Sequence, residues 1–196
     1  MSRLIVSTLT VGASVLAGFL LFSNAPVSAG CNQQAPCDFI TSGGFVFRDD
    51  GAQANFGAHG GCKNGDFWGH VNYVDHGGYN GASPYHVDST QITGYLFDPA
   101  VANAREICGF ARTNAGESVR FRVRLEDNGE PGRDDRFGIR LSNGYLVTTR
   151  SLGGDGSGGG NVQLHKPNPS TTGPNPPPDE FTMCGGVASP EEGPGS

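Results

Sequence analysis

Beyond residue 30 the chain alternates apolar and polar side chains over short runs. Val119, Phe121, Val123 and Leu125 interleave with Arg120, Arg122, Arg124 and Glu126. A period of two buries one face and wets the other, which is the signature of an antiparallel sheet. Phe137 to Ser142 and Tyr145 to Arg150 flank Asn143-Gly144 and read as a hairpin. Three further Asn-Gly pairs, Asn64-Gly65, Asn80-Gly81 and Asn128-Gly129, supply the residues that tolerate the positive φ of a type I′ turn. The same pattern predicts strands at 38–48, 53–58, 67–74, 85–97, 104–113 and 160–165. No segment beyond residue 30 repeats with a helical period, although Ala100 to Glu106 suits a single helical turn. The expectation is an all-β fold, an antiparallel β-sandwich or barrel of about eight to nine short strands.

Residues 1–29 read differently. Arg3 precedes an uncharged run from Leu4 to Phe22, and small residues lead from Ser23 to Cys31. That is the layout of a secretory signal. Three fates follow from it. Cleavage after Ala29 releases a soluble product. Val27 to Cys31 resembles a loose bacterial lipobox, with Ser28 in place of the usual Leu, and would put a lipid on Cys31. An uncleaved segment approaches the length needed to span a bilayer, of order 20 residues. The domain expectation is a signal peptide at 1–29, an all-β domain at 30–166 and a flexible Pro/Gly-rich tail at 167–196. Seven of the 13 prolines fall between Lys166 and Gly193, a composition that cannot order itself unless Cys184 pins Phe181-Thr182-Met183 to the domain.

The net charge is −6, and the signal segment contributes only Arg3. An acidic chain without a Lys/Arg cluster carries no nucleic-acid footprint. Membrane contact is expected only through the N-terminal segment or a lipid on Cys31. Five cysteines form an odd set for an oxidising compartment, so one needs its own explanation, and lipidation of Cys31 would leave an even number. The expected disulfides are Cys62–Cys108 across strands and Cys37–Cys184 tying the tail to the start.

Candidate chemistry is sparse. The acidic stretch carrying Asp127, Asn128, Glu130, Asp134 and Asp135 could supply hard oxygen ligands to calcium, the one cofactor considered, though a polar turn would look the same. Trp68, His70 and Tyr73 are the candidate ligand-binding residues, since aromatic rings beside polar groups suit sugar stacking. Strand alternation sets Phe67, Val71 and Tyr73 on one face and Trp68, His70 and Asn72 on the other, so either set could be core. Arg120, Arg122 and Arg124, with Arg140 on the next strand, could form a basic stripe for anionic polymers or a solvated face paired with carboxylates. A metal on His70 and His76 lacks a third ligand by spacing. No nucleophile elbow or zinc-protease signature is present.

The run Asp127-Asn128-Gly129-Glu130-Pro131-Gly132, with Asn55-Phe56-Gly57, Gly69 to Asp75 and Gly159-Gly160-Asn161-Val162-Gln163-Leu164-His165-Lys166, resembles the bacterial secreted β-domain of the post-COAP type over about residues 40–166. The resemblance implies an all-β surface domain and brings no activity, cofactor or catalytic residue. The functional expectation is a secreted or cell-surface binding or structural module that is not an enzyme, with an extracellular polysaccharide or a surface protein as partner. The alternative is a secreted carbohydrate-active or metal-dependent enzyme.

Overall fold

The computed structural model describes residues 37–191. The expectations for the signal segment and for Cys31 fall outside them. Nine strands follow one another: β1 (Phe39–Phe47), β2 (Gln53–Lys63), β3 (Asp66–Asp75), β4 (Tyr85–Asp98), β5 (Val101–Thr113), β6 (Ser118–Glu126), β7 (Arg136–Leu141), β8 (Leu146–Ser151) and β9 (Gly160–His165). All pairings are antiparallel, in the order β8-β7-β6-β5-β4-β3-β2-β1-β9. The sheet is a meander whose last strand returns to lie beside the first, and it curls into a half-barrel rather than a two-sheet sandwich.

One core fills the concave face. Tyr73, Tyr85, Tyr95, Phe121 and Phe137 are fully buried there with Ile40, Val71, Val123, Leu125 and Ile139. Phe56 stacks on Phe137 with ring centroids 3.9 Å apart. Each such side chain contributes about 1.5–3 kcal/mol by leaving water, and strands drawn from the whole chain must curl together to bury them.

Two local expectations are corrected. Residues 101–106 are strand, because β5 bonds β4 on one side and β6 on the other, and this pairing overrides the weak helical preference. Of the Asn-Gly pairs, Asn64-Gly65 and Asn80-Gly81 have positive φ at both residues (52° and 88°; 51° and 84°), as type I′ requires. At Asn143 and Asn128 only the following glycine is left-handed. Asn143 is held instead by its side chain, which donates to Tyr85 Oη (2.9 Å) and to both oxygens of Glu117 (3.0 Å).

The disulfide expectation is also corrected. Cys37 pairs with Cys62 and Cys108 with Cys184, with Cα separations of 5.8 and 5.0 Å. Alternation along β5 rules out the Cys62–Cys108 bridge: Cys62 and Ile107 belong to the main core, whereas Cys108 points to the other face of the sheet and packs there with Leu96, Met183 and Cys184.

Residues 167–191 are not a loose tail. Ser170 and Thr172 carbonyls accept from the Asn64 and Gly65 amides at 2.8 and 2.9 Å. The helix α1 (Glu180–Cys184) is capped by Asp179, whose carboxylate accepts from the Thr182 amide at 2.8 Å. Met183 and Cys184 bury against Leu96 and Cys108, while Phe181 stays 74% exposed. Pro190 then receives the Thr149 amide of β8 at 3.1 Å. Cys184 does pin this segment, and Pro-rich composition does not prevent its ordering. We call it the strap.

The acidic loop between β6 and β7 caps the free edge of β9. Asp135 is fully buried; one oxygen accepts the Val162 amide at 2.6 Å and the other the Asn128 amide at 2.8 Å. Asp127 accepts the Leu164 amide at 2.7 Å. Burial pushes the Asp135 carboxyl above its ordinary value, although the two amides pull the other way. Asp135→Asn turns an NH₂ group onto one of these donors. It is expected to cost about 1–3 kcal/mol, read as a lowered thermal midpoint with faster exchange at the Val162 amide. Non-reducing peptide mapping should recover Cys37 linked to Cys62 and Cys108 linked to Cys184; recovery of a Cys62–Cys108 peptide would contradict the topology.

Candidate binding face

Alternation along β3 points Tyr73 into the core, where it is fully buried, and Trp68 and His70 to the opposite face of the sheet. The three expected ligand residues are therefore not one site. Trp68 and His70 instead join rings from three other strands. Register places Phe39 opposite His165 and Gly61, Gly61 opposite Trp68, and His59 opposite His70. The result is an unbroken row of rings across β9, β1, β2 and β3. His165 stacks on Phe39 at 4.4 Å, Phe39 meets Trp68 at 5.9 Å, Trp68 meets His59 at 5.6 Å, and His59 meets His70 at 6.3 Å. Gly61 makes the row possible, since a Cβ there would strike the Phe39 Cβ and backbone.

Hydroxyl and carboxylate groups fix the imidazoles. Thr41 Oγ1 lies 2.8 Å from His165 Nε2. Ser89 Oγ accepts the Val71 amide at 2.9 Å and lies 3.1 Å from His70 Nδ1. Its proton is then directed at Nδ1, which leaves Nε2–H facing Asp88 at 3.3 Å. Side chains of His70 and Asp88 are 47% and 61% exposed, so this end of the row is open to solvent. Burial, and secondly the neighbouring His70, hold His59 below its ordinary value. His76 lies apart from the row, 3.3 Å from the Asn55 amide nitrogen.

The other expected sites are engaged within the fold. Asp127 and Asp135 bond backbone amides of β9, Asn128 donates to the Asp134 carbonyl at 2.8 Å, and Glu130 accepts from Asn161 at 3.1 Å. Among the described residues no three His, Cys, Asp or Glu side chains are grouped to hold a metal. The arginine stripe lies beneath the strap. Arg122 bonds Glu106 and Glu180, and Arg124 bonds Asp98 at 2.9 Å, Glu126 at 2.8 Å and Glu191 at 3.5 Å. Arg120 sits over the Phe110 ring at 4.4 Å.

A groove of about 890 Å³ runs between the β7–β8 hairpin and the strap, lined by Arg48, Tyr79, Tyr145, Thr148 and Gly186 among others. Two of its charged groups, Arg48 and Asp49, are already paired. Arg48 bonds the fully buried Asp75 and reaches Asp50 at 3.0 Å, and Asp49 bonds Arg150 at 2.9 Å. Tyr145 donates to Asp75 at 2.7 Å and so accepts from Tyr73, also at 2.7 Å. Burial raises the Tyr145 hydroxyl far out of the titrating range, and burial with Glu117 pushes Tyr85 up to about 12. These groups make a rigid, fully satisfied end of the barrel.

The chain matches no family model, no curated protein and no solved structure. The two disulfides point to an oxidising, extracytoplasmic environment, and no helix among the described residues is long and apolar enough to cross a membrane.

Glu117 gives a pH test of the tyrosine end. Hydrogen bonds, that from Asn143 foremost and then those from Tyr85, Thr113 and Asn80, hold its carboxyl below the ordinary 4.5 against opposing burial. A lowered carboxylate stabilises the fold above its unfolded value and loses that contribution as pH falls through the folded one. The thermal midpoint of Glu117→Gln should lie below wild type at pH 7, and the gap should close on acidification below pH 4.5. A gap that persists unchanged at pH 2–3 would assign the effect to packing.

Proposed function

We propose that this protein is an extracytoplasmic binding module that holds a polysaccharide against the row of rings on its outer face. The observation that supports the reading is the continuity of that row: His165, Phe39, Trp68, His59 and His70 join end to end across four strands. Flat rings with electron-rich faces attract the polarised C–H groups of a pyranose, and their spacing is close to the length of one sugar unit. Thr41, Gln163, Asn72 and Asp88 share the same side of their strands and supply hydrogen-bonding groups beside the rings. A sheet pinned by two disulfides presents them without reordering, which keeps the entropic cost of binding low.

The resemblance to the post-COAP type fits such a non-catalytic surface role. Processing after Ala29 would release the module, and a lipid on Cys31 would hold it at a membrane. The enzymatic alternative has no observation in its favour.

Retention of the mature protein on insoluble polysaccharides and cell-wall preparations tests the reading, with soluble products measured in the same samples. Wild type should be retained by at least one polymer. Phe39→Ala with Trp68→Ala should weaken that retention about tenfold, as the loss of roughly 1.4 kcal/mol of stacking requires. Equal retention of the double variant would remove the row from the site, and release of soluble sugars would favour the enzyme.

A further inference from the structure

Three of the five rings in the row are imidazoles, and this gives the face a charge that depends on pH. We propose that the row, taken as the polysaccharide site above, is an acid-gated site for a carboxylate-bearing polysaccharide, closed to polyanions at neutral pH and open to them in mildly acidic surroundings.

The argument begins with the charged and titratable groups on that side of the sheet. β9 contributes His165, followed by the exposed Lys166. β1 contributes Phe39 and Thr41 only, because Asp38 turns to Arg105 and Tyr95. β2 contributes His59 and Lys63, β3 contributes Asp66 and His70, β4 contributes His86 and Asp88, and β5 sets the exposed Arg112 across from Asp88. The strap residues against the β2–β3 turn, Ser170 and Thr172, are uncharged.

Histidine is the side chain whose charge changes between about pH 5 and 8. Lys63 lies across from Asp66 and Arg112 across from Asp88, and the chain as a whole carries −6. The fixed charges of these two pairs offset one another beside the row. Acidification adds positive charge to imidazoles, at His59 only below the ordinary value of 6.5, because burial and then His70 hold it down.

The arrangement of the rings couples this change to an anion. His59 and His70 face one another at 6.3 Å. Protonating both sets like charges side by side, and a carboxylate lying over the pair relieves that repulsion. Asp88 performs this service for His70, from the β4 side, whereas the strands beside His59 set Thr41 and His70 opposite it. Anion binding therefore raises the imidazole values, and protons are taken up as the polymer binds. By linkage, affinity rises as pH falls through the window between the free and bound values, by up to about tenfold per pH unit for each proton taken up.

Binding of the mature protein to polygalacturonate and to its full methyl ester, at pH 5.5 and 7.5, tests the proposal. The acid polymer should bind at least tenfold more tightly at pH 5.5, while the uncharged ester should bind equally at both. The imidazole resonances of His59 and His70 should titrate at higher pH when polygalacturonate is present. In His59→Gln with His70→Gln the ratio of affinities at the two pH values should fall towards one, whatever the absolute affinity, in a protein whose thermal midpoint confirms folding. Ester binding with no preference of the acid polymer for low pH would overturn this proposal and leave the polysaccharide reading standing. Failure of both polymers to bind at either pH would overturn both. A pH ratio unchanged in the double variant would place the gate elsewhere.

Discussion

A sheet that curls without closing has two edges, and this fold depends on how those edges are satisfied. The free amides of β9 are met by carboxylates, Val162 by Asp135 and Leu164 by Asp127. On the far side the Thr149 amide of β8 finds the Pro190 carbonyl. Between the edges, Phe45 exchanges main-chain bonds with Gly153 and Gly159 at 3.0 and 2.7 Å. Bare edges would recruit other strands. The acidic loop is thus structural before it is anything else. By fixing β9 it also fixes His165, and with it one end of the ring row.

Much of the architecture was legible in the sequence because period-two alternation reports burial directly. All nine strands overlap the segments that alternation and turn residues mark, although β2 runs on to Lys63 and β5 starts at Val101, and in β6 the face of Arg122, Arg124 and Glu126, expected to be wet, is buried as well. Connectivity between distant strands leaves no such local trace. Whether β9 lies beside β1 or beside β8 is decided by the curl of the sheet, so sandwich and barrel could not be separated. The cysteine pairing failed for a related reason: it requires knowing that Cys108 faces away from the core that holds Cys62, toward the strap. The strap was misread because composition speaks only for a segment's own ability to fold. Here the ordering comes from a surface that was already built, with Met183 and Cys184 buried against β4 and β5.

The binding face was half legible. Trp68 and His70 stood out by residue type, and alternation had already set Tyr73 on the other side. Phe39, His59 and His165 could be found only through register, since they come from three strands up to 126 positions apart between Phe39 and His165. The arginine stripe shows the reverse case. Its periodicity was real, but the acidic partners that neutralise it arrive from Glu180 and Glu191, far along the chain.

The pairing of β1 with β9 bears on when the domain can come into being. Thr41 and His165, bonded to each other in the folded protein, are 124 residues apart, and β1 has no partner for its outer edge until β9 is present. Folding dominated by such distant contacts is slow, because the loop must close before its contacts reward it. A chain emerging gradually through a membrane pore would therefore stay incomplete, with His165 missing from the end of the ring row, until almost the whole domain had crossed.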